Sequence, residues 1–266
     1  MEKWTLGNFF TPQQKIKMKV AISVQNLKKS FNNTEVFKDF SISIEQGKIT
    51  TIFGPNGSGK STLLNILSGI VKEDGGDFQI QDFNLFEFSY IFQNYRESLL
   101  PWRTNFDNLA LPLEIQHKSK IEIRKRVEEL QKLFEFKFDW NGYPYELSGG
   151  QQQILAFMRA LVTNPKILFI DEPFSALDYE NNLRLREHLQ KYYLAHKPTI
   201  LLITHNIEEA VHLAEKIIVF SQKPTETLKA IENTMPYPRT MQSLKSEQFH
   251  QIKDEVLSVF QKAANL

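Results

Sequence analysis

Apolar residues recur in two rhythms along this chain, and the way the rhythms alternate predicts its layout. Val20, Ile22 and Val24, and later Phe40, Ile42 and Ile44, alternate with other positions as half-buried strands do. Ile49 to Phe53, Thr199 to Thr204 and Ile217 to Phe220 are instead near-continuous, as is Ile167-Leu168-Phe169-Ile170, which runs into Asp171-Glu172; such runs suit strands covered on both faces. Ile123, Val127, Leu130 and Phe134 fall at spacings of 4, 3 and 4, the stripe of an amphipathic helix. Helical patterns also cover Thr62 to Leu67, stopping near Gly69, then Asn105 to Glu114, and Gln152 to Val162, which Asn164-Pro165 ends. Further ones follow over Tyr179 to Ala195, Ile207 to Leu213 and Glu247 to Ala263. Strand and helix alternating in this way predict an α/β fold with parallel pairing, whose ligands gather at the carboxyl ends of the strands.

Some stretches are less regular. Gly75-Gly76 predicts a turn into Phe78-Gln79-Ile80, and Tyr90-Ile91-Phe92-Gln93 a short strand ending on a polar residue, so that Phe78 to Tyr90 reads as a hairpin. Leu99 to Thr104 is apolar but broken by Pro101, which predicts a loop or a helix entrance. Trp102 within it is either an exposed sticky patch or a buried plug. Phe31, alone in a polar stretch, is either a core anchor or a ring for stacking on a base. Residues 1–18 show no periodicity and read as an N-terminal extension.

The strongest chemical signal is Gly54-Pro55-Asn56-Gly57-Ser58-Gly59-Lys60-Ser61, between a β-type run and the helical pattern that opens at Thr62. Strand, glycine-spaced loop, Gly-Lys-Ser and helix form the context of a phosphate-binding P-loop. Glycines let successive N–H groups turn around one anion, and the helix that follows aims its free N–H groups and positive end at the same place. Lys60 reaches the β and γ phosphates in such a loop, and Ser61 is placed to ligand Mg²⁺. Two adjacent acids after a buried strand divide the work: Asp171 holds Mg²⁺ and Glu172 polarises the attacking water. An acid pair at a strand end is by itself more often merely solvated, and the P-loop is what favours the catalytic reading. His205, at the end of the next strand, can hydrogen-bond a γ phosphate or the water, and Gln93 can join water to metal without titrating.

Composition narrows the setting. The chain has 266 residues, 41% hydrophobic and 24% charged, with net charge +1 and no cysteine. Disulfides and thiolate metal sites are thereby excluded, and nothing in the overall charge calls for nucleic acid. No run approaches the ~18 apolar residues of a membrane span. The chain is expected to be soluble, with any membrane contact made through a partner.

In order along the chain, the P-loop, Gln93, Leu147-Ser148-Gly149-Gly150-Gln151, Ile167 to Glu172, Ser175-Ala176-Leu177-Asp178 and His205 resemble the ATP-binding subunit of ABC transporters. The match runs from about Val20 to Phe220, and the Leu-Ser-Gly-Gly-Gln signature ahead of a strand ending in two acids is highly specific. The resemblance implies a P-loop NTPase fold of ABC type: a mixed, largely parallel sheet, an antiparallel β subdomain and a helical subdomain over about 95–162, with the whole cassette at 19–232 and a C-terminal tail with a helix at 233–266. It also implies a Q-loop at Gln93 that serves the metal with Ser61 and Asp171, a D-loop at Ser175 to Asp178, a switch histidine at His205 and base stacking by Phe31. ATP and Mg²⁺ are the implied ligands. A head-to-tail homodimer is implied too, each signature completing the other copy's site.

Leu99 to Thr104, Asn108 to Glu114 and Pro236-Tyr237-Pro238-Arg239 look like the nitrate, sulfonate and taurine importer branch. That likeness implies a membrane-spanning permease as partner, a solute-binding protein in the same system, and a peripheral position on the cytoplasmic face of the inner or plasma membrane. Two other functions stand against it: a soluble ATPase of this type acting on nucleic acid or ribosomes, and a catalytically silent nucleotide-binding regulator. Gln152-Gln153-Ile154 stands where many relatives carry arginine after the signature, and the Phe78 to Tyr90 segment is short for the family.

Overall fold

A six-stranded sheet carries the site, and its strand order explains where the chemistry collects. The computed structural model describes residues 19–81, 87–174 and 177–264. The large sheet joins β3 (Ile49–Phe53), β5 (Phe88–Ile91), β6 (Ile167–Asp171), β7 (Thr199–Thr204), β8 (Lys216–Phe220) and β9 (Thr227–Glu232) in the order β5-β6-β7-β3-β8-β9. Pairing is parallel except between β8 and β9. Every residue of β3, β6 and β7 is buried, as expected for strands covered on both faces. Because β6, β7 and β3 are neighbours, their carboxyl ends bring Asp171, His205 and the P-loop onto one edge.

A second, antiparallel sheet has the order β2-β1-β4, from β1 (Val20–Phe31), β2 (Thr34–Glu45) and β4 (Gly75–Ile80). Two expectations fail here. Gly75 and Gly76 begin a strand, and they do not make the turn before it. Gly76 has φ 87°, and a Cβ there would lie 2.4 Å from the Asn26 carbonyl oxygen, so the glycine serves close approach to β1. Nor do β4 and β5 form a hairpin: β4 pairs with β1, β5 with β6 in the other sheet. β5 also starts and stops earlier than expected, leaving Gln93 beyond the strand.

Helix α1 (Lys60–Leu67) follows the P-loop. Short α2 (Tyr95–Ser98), α3 (Asn105–Ile115), α4 (Lys120–Phe134) and α5 (Gly149–Leu161) form a helical layer. The stripe of α4 is buried as its spacing predicts, and a Ser119–Glu122 capping box starts the helix. Thr104 caps α3. Buried Asn108 then folds Leu100 to Thr104 back on the helix: it donates to the carbonyls of Leu100, Arg103 and Thr104 at 3.0, 3.1 and 3.0 Å and accepts from the Leu100 N–H at 2.9 Å. This turn holds Trp102 outward at 73% exposure, so the exposed reading is the correct one.

Helices α6 (Tyr179–His196) and α7 (Ile207–Leu213) flank β7, and α8 (Glu247–Ala264) packs on α7 and β8 through Phe249, Ile252 and Val256. Before α8, the buried Arg239 guanidinium donates to the carbonyls of Val211, Ala214 and Met235 at 3.0, 2.7 and 2.8 Å and stacks 4.3 Å from the Tyr237 ring. Among the described residues no ion pair reaches it; main-chain oxygens hold it, two of them at the negative end of α7, with the Glu215 carboxylate acting at longer range.

Candidate functional site: a phosphate cradle bordered by two acids

The P-loop is shaped by what surrounds it. Gly59 has φ 95°, and a Cβ there would stand 2.6 Å from Val36 Cγ1, so only glycine allows the loop to sit under β2. Gly54 lies against Phe220, whose Cβ would be 3.0 Å from an added Cβ. Lys60, nearly buried at the head of α1, donates to the carbonyls of Gly54 at 2.9 Å and Pro55 at 2.8 Å, and burial pushes its pKa down. The first N–H groups of α1 face the hollow with no helical partner, as at every helix start. A cleft of about 340 Å³ opens there, lined by Asn56, Gly57, Gly59, Lys60, Ser61, Thr62, Gln93, Glu172 and Lys223.

Ser61 Oγ donates to Asp171 Oδ1 at 3.1 Å, which puts a hydroxyl and a carboxylate side by side. Burial holds the Asp171 carboxyl above its usual range, opposed by that hydrogen bond. Two hard oxygen donors in this position suit Mg²⁺, which keeps several waters and phosphate oxygens among its ligands. No cluster of three or more His, Asp or Glu side chains able to hold a metal occurs among the described residues.

Glu172 adopts φ 45°, a left-handed conformation that a side chain rarely takes, pinned by its N–H to the Ile203 carbonyl at 3.0 Å. Its Oε2 accepts from Gln93 Nε2 at 3.0 Å and meets His205 Nδ1 at 3.1 Å. Two residues, from beyond β5 and β7, thus converge on one carboxylate oxygen of Glu172 beside the cradle. Phe31, at the tip of the β1–β2 hairpin, is 44% exposed with Lys29 Nζ 5.0 Å from its ring, so it is not a core anchor. Val36 of the same hairpin lies against the P-loop at Gly59.

The signature is built differently. Ser148 caps α5, and a capping box joins its N–H to Gln151 Oε1 at 2.9 Å. Gly149 and Gly150 therefore lie in the first helical turn, not ahead of it. Gly150 rests against Asn181 and Leu177, with Asp178 capping α6 alongside. Ser175 and Ala176 lie outside the described residues, as does the 1–18 extension. None of Leu147 to Gln151 lines the cleft of the P-loop. Gln152 donates to the carbonyls of Pro144 at 2.9 Å and Leu147 at 3.1 Å and ties the signature to its approach.

Two contributors escaped the sequence reading. Lys223 adds a second cation to the cleft, and the Thr225 hydroxyl donates to the Ser58 carbonyl. Both sit in the loop between β8 and β9, where a polar run with a proline carries no motif.

Residues 37–175 match the ABC transporter family model. The aliphatic sulfonates import ATP-binding protein SsuB of Bacillus cereus is 36% identical over 91% of this chain and 97% of its own length. The chain belongs to the ABC transporter family. Another SsuB, from Bacillus subtilis, is 34% identical to this ABC ATPase over 94% of the chain and 97% of its own length. Among solved structures, a dimeric bacterial ABC transporter cassette superposes with a TM-score of 0.70 at 30% identity, covering 81% of this chain and all of that one. A post-hydrolysis state of the same cassette, bound to ADP and phosphate, matches equally well. Both sheets and the helical layer are accordingly those of an ABC ATPase, and ATP is its nucleotide.

Proposed function

We propose that this ABC ATPase energises the import of a small solute of the nitrate, sulfonate and taurine type through separate membrane-spanning permease subunits, with a solute-binding protein delivering the cargo. The observation that carries the reading is the convergence of Gln93 and His205 on Glu172 beside a P-loop cleft that its own signature does not line. Import and sulfonates come from the names of its relatives, which this chain matches along nearly their whole length. No helix among the described residues is long and apolar enough to cross a membrane, which agrees with a peripheral subunit on the cytoplasmic face.

Gly54 to Thr62 wrap the phosphates, and Lys60 exchanges its carbonyl partners for β and γ oxygens. Ser61, Asp171 and Gln93 would hold Mg²⁺, which would supply charge neutralisation to the phosphates. Phe31 stacks on the base. Glu172 takes the proton of the attacking water, His205 positions the γ phosphate, and Gln93 reports its presence to the surface beyond β5. A second copy brings Leu147 to Gln151, its Ser148 hydroxyl and the start of its α5, over the γ phosphate, and Ser175 to Asp178 line the same junction. Binding of ATP closes the pair, and release of products reopens it.

Reconstitution with a co-expressed permease and solute-binding protein tests this reading: ATP should drive sulfonate uptake into vesicles, and hydrolysis without uptake of any solute of this class would defeat it.

A further inference from the structure

The cleft over the P-loop is walled from two flanks. In the large sheet β5, β6 and β7 lie on one side of β3, and β8 and β9 on the other. Glu172, which follows β6, therefore borders the cleft from one flank, and Lys223, which follows β8, from the opposite one. Gln93 and His205 meet Glu172 on the first flank. The second has had no part in the chemistry so far.

That second flank is held in shape. Ser221 closes the loop at its neck, donating its N–H to the Glu226 carbonyl at 3.0 Å and accepting the Glu226 N–H on its hydroxyl at 2.8 Å. Buried Thr225 then pins the loop: its N–H donates to the Val36 carbonyl at 2.9 Å, and its hydroxyl to the Ser58 carbonyl. The loop is thus fastened both to the P-loop and to the β1–β2 hairpin that carries Phe31. Lys223 lies between these anchors, exposed, with no hydrogen bond or ion pair among the described residues. Lys60, by contrast, already has two carbonyl partners. An unpaired ammonium at the mouth of a phosphate cradle, on a loop tied to that cradle, has an anion as its complement.

We propose that Lys223 is a nucleotide-binding residue, donating to α or β phosphate oxygens of ATP and ADP from the flank opposite Glu172. The contact rests on the P-loop reading of the cleft, in which Phe31 takes the base and Glu172 stands at the γ phosphate; the flank joined to the hairpin is then the one beside the α and β groups. Those oxygens persist through hydrolysis. Lys223 therefore stabilises substrate and transition state alike, and its effect falls on affinity and KM, with little on kcat.

The test is nucleotide titration and steady-state hydrolysis with the full-length ATPase and Mg²⁺ present, an unchanged unfolding transition without nucleotide serving as the check on folding. Lys223→Gln should weaken ATP and ADP equally, by about fivefold, the upper worth of an exposed charge pair. KM should rise by the same factor while kcat falls less than about twofold. Lys223→Arg keeps the charge and should stay within about twofold of wild type, and Lys223→Glu should lose more than Lys223→Gln. The difference between Lys223→Gln and wild type should fade at roughly 0.5 M salt, where exposed charges are screened. Wild-type affinity in both the Gln and the Glu variant overturns the contact. So does a loss that Lys223→Arg shares or that salt leaves undiminished, because the side chain would then act by shaping the loop. A loss for ATP with ADP unchanged, or a fall in kcat at constant KM, overturns the assignment to the α and β phosphates. Wild-type protein that binds neither nucleotide sinks the P-loop reading itself, and the contact with it.

Discussion

The P-loop and the signature both start a helix with N–H groups suited to an anion, yet they stand in opposite conditions. Around the P-loop the chain supplies everything within reach: two acids, Gln93, His205, Lys223 and a cleft. The signature has its cap and its neighbours Leu177, Asp178 and Asn181, but no share in that cleft. One helix start borders a cleft with acids at hand, whereas the other does not line it. On the proposed reading the second serves another copy's nucleotide, and catalysis then depends on geometry that a single copy does not contain.

The contrast can be broken or sharpened by experiment. Glu172→Gln should cut ATP turnover on the order of a hundredfold or more while Mg-ATP is still retained, because the carboxylate acts on the water and not on binding; parallel hydrolysis and filter-binding assays read the split. Mixing inactive Lys60→Ala protein with inactive Ser148→Arg protein should raise activity about tenfold over either alone, since one of the two shared sites is then intact. No recovery in the mixture would mean that each copy uses its own signature. Phe31→Ala should weaken nucleotide binding roughly tenfold by titration, the typical worth of one aromatic–base stack. Gln151→Ala removes half of the signature's capping box and should lower unfolding free energy by about 1 kcal/mol in a denaturant series.

Much of the catalytic half was legible because its spacing is dictated by chemistry. A P-loop needs glycine where N–H groups converge, and the strand before Asp171-Glu172 must be apolar on both faces. What stayed hidden was set by distant partners. β9 exposes five of its six residues and presents no alternating face, so only pairing with β8 makes it a strand. The glycines at 75 and 76 look like a turn until Asn26 is placed against them. Gln93 was found by its type, although it stands outside the strand expected to end on it. Arg159 looks like any helix-surface cation in sequence, and only its surroundings show that it meets no partner among the described residues.

Arg239 carries a mechanical consequence. By gripping carbonyls at the far end of α7, it welds the segment ahead of the C-terminal helix to an element whose near end is capped by Asn206, directly after His205. The segment ahead of the C-terminal helix and the residue next to His205 are thus tied to opposite ends of one short rod, so a displacement of the first is passed along α7 toward the second.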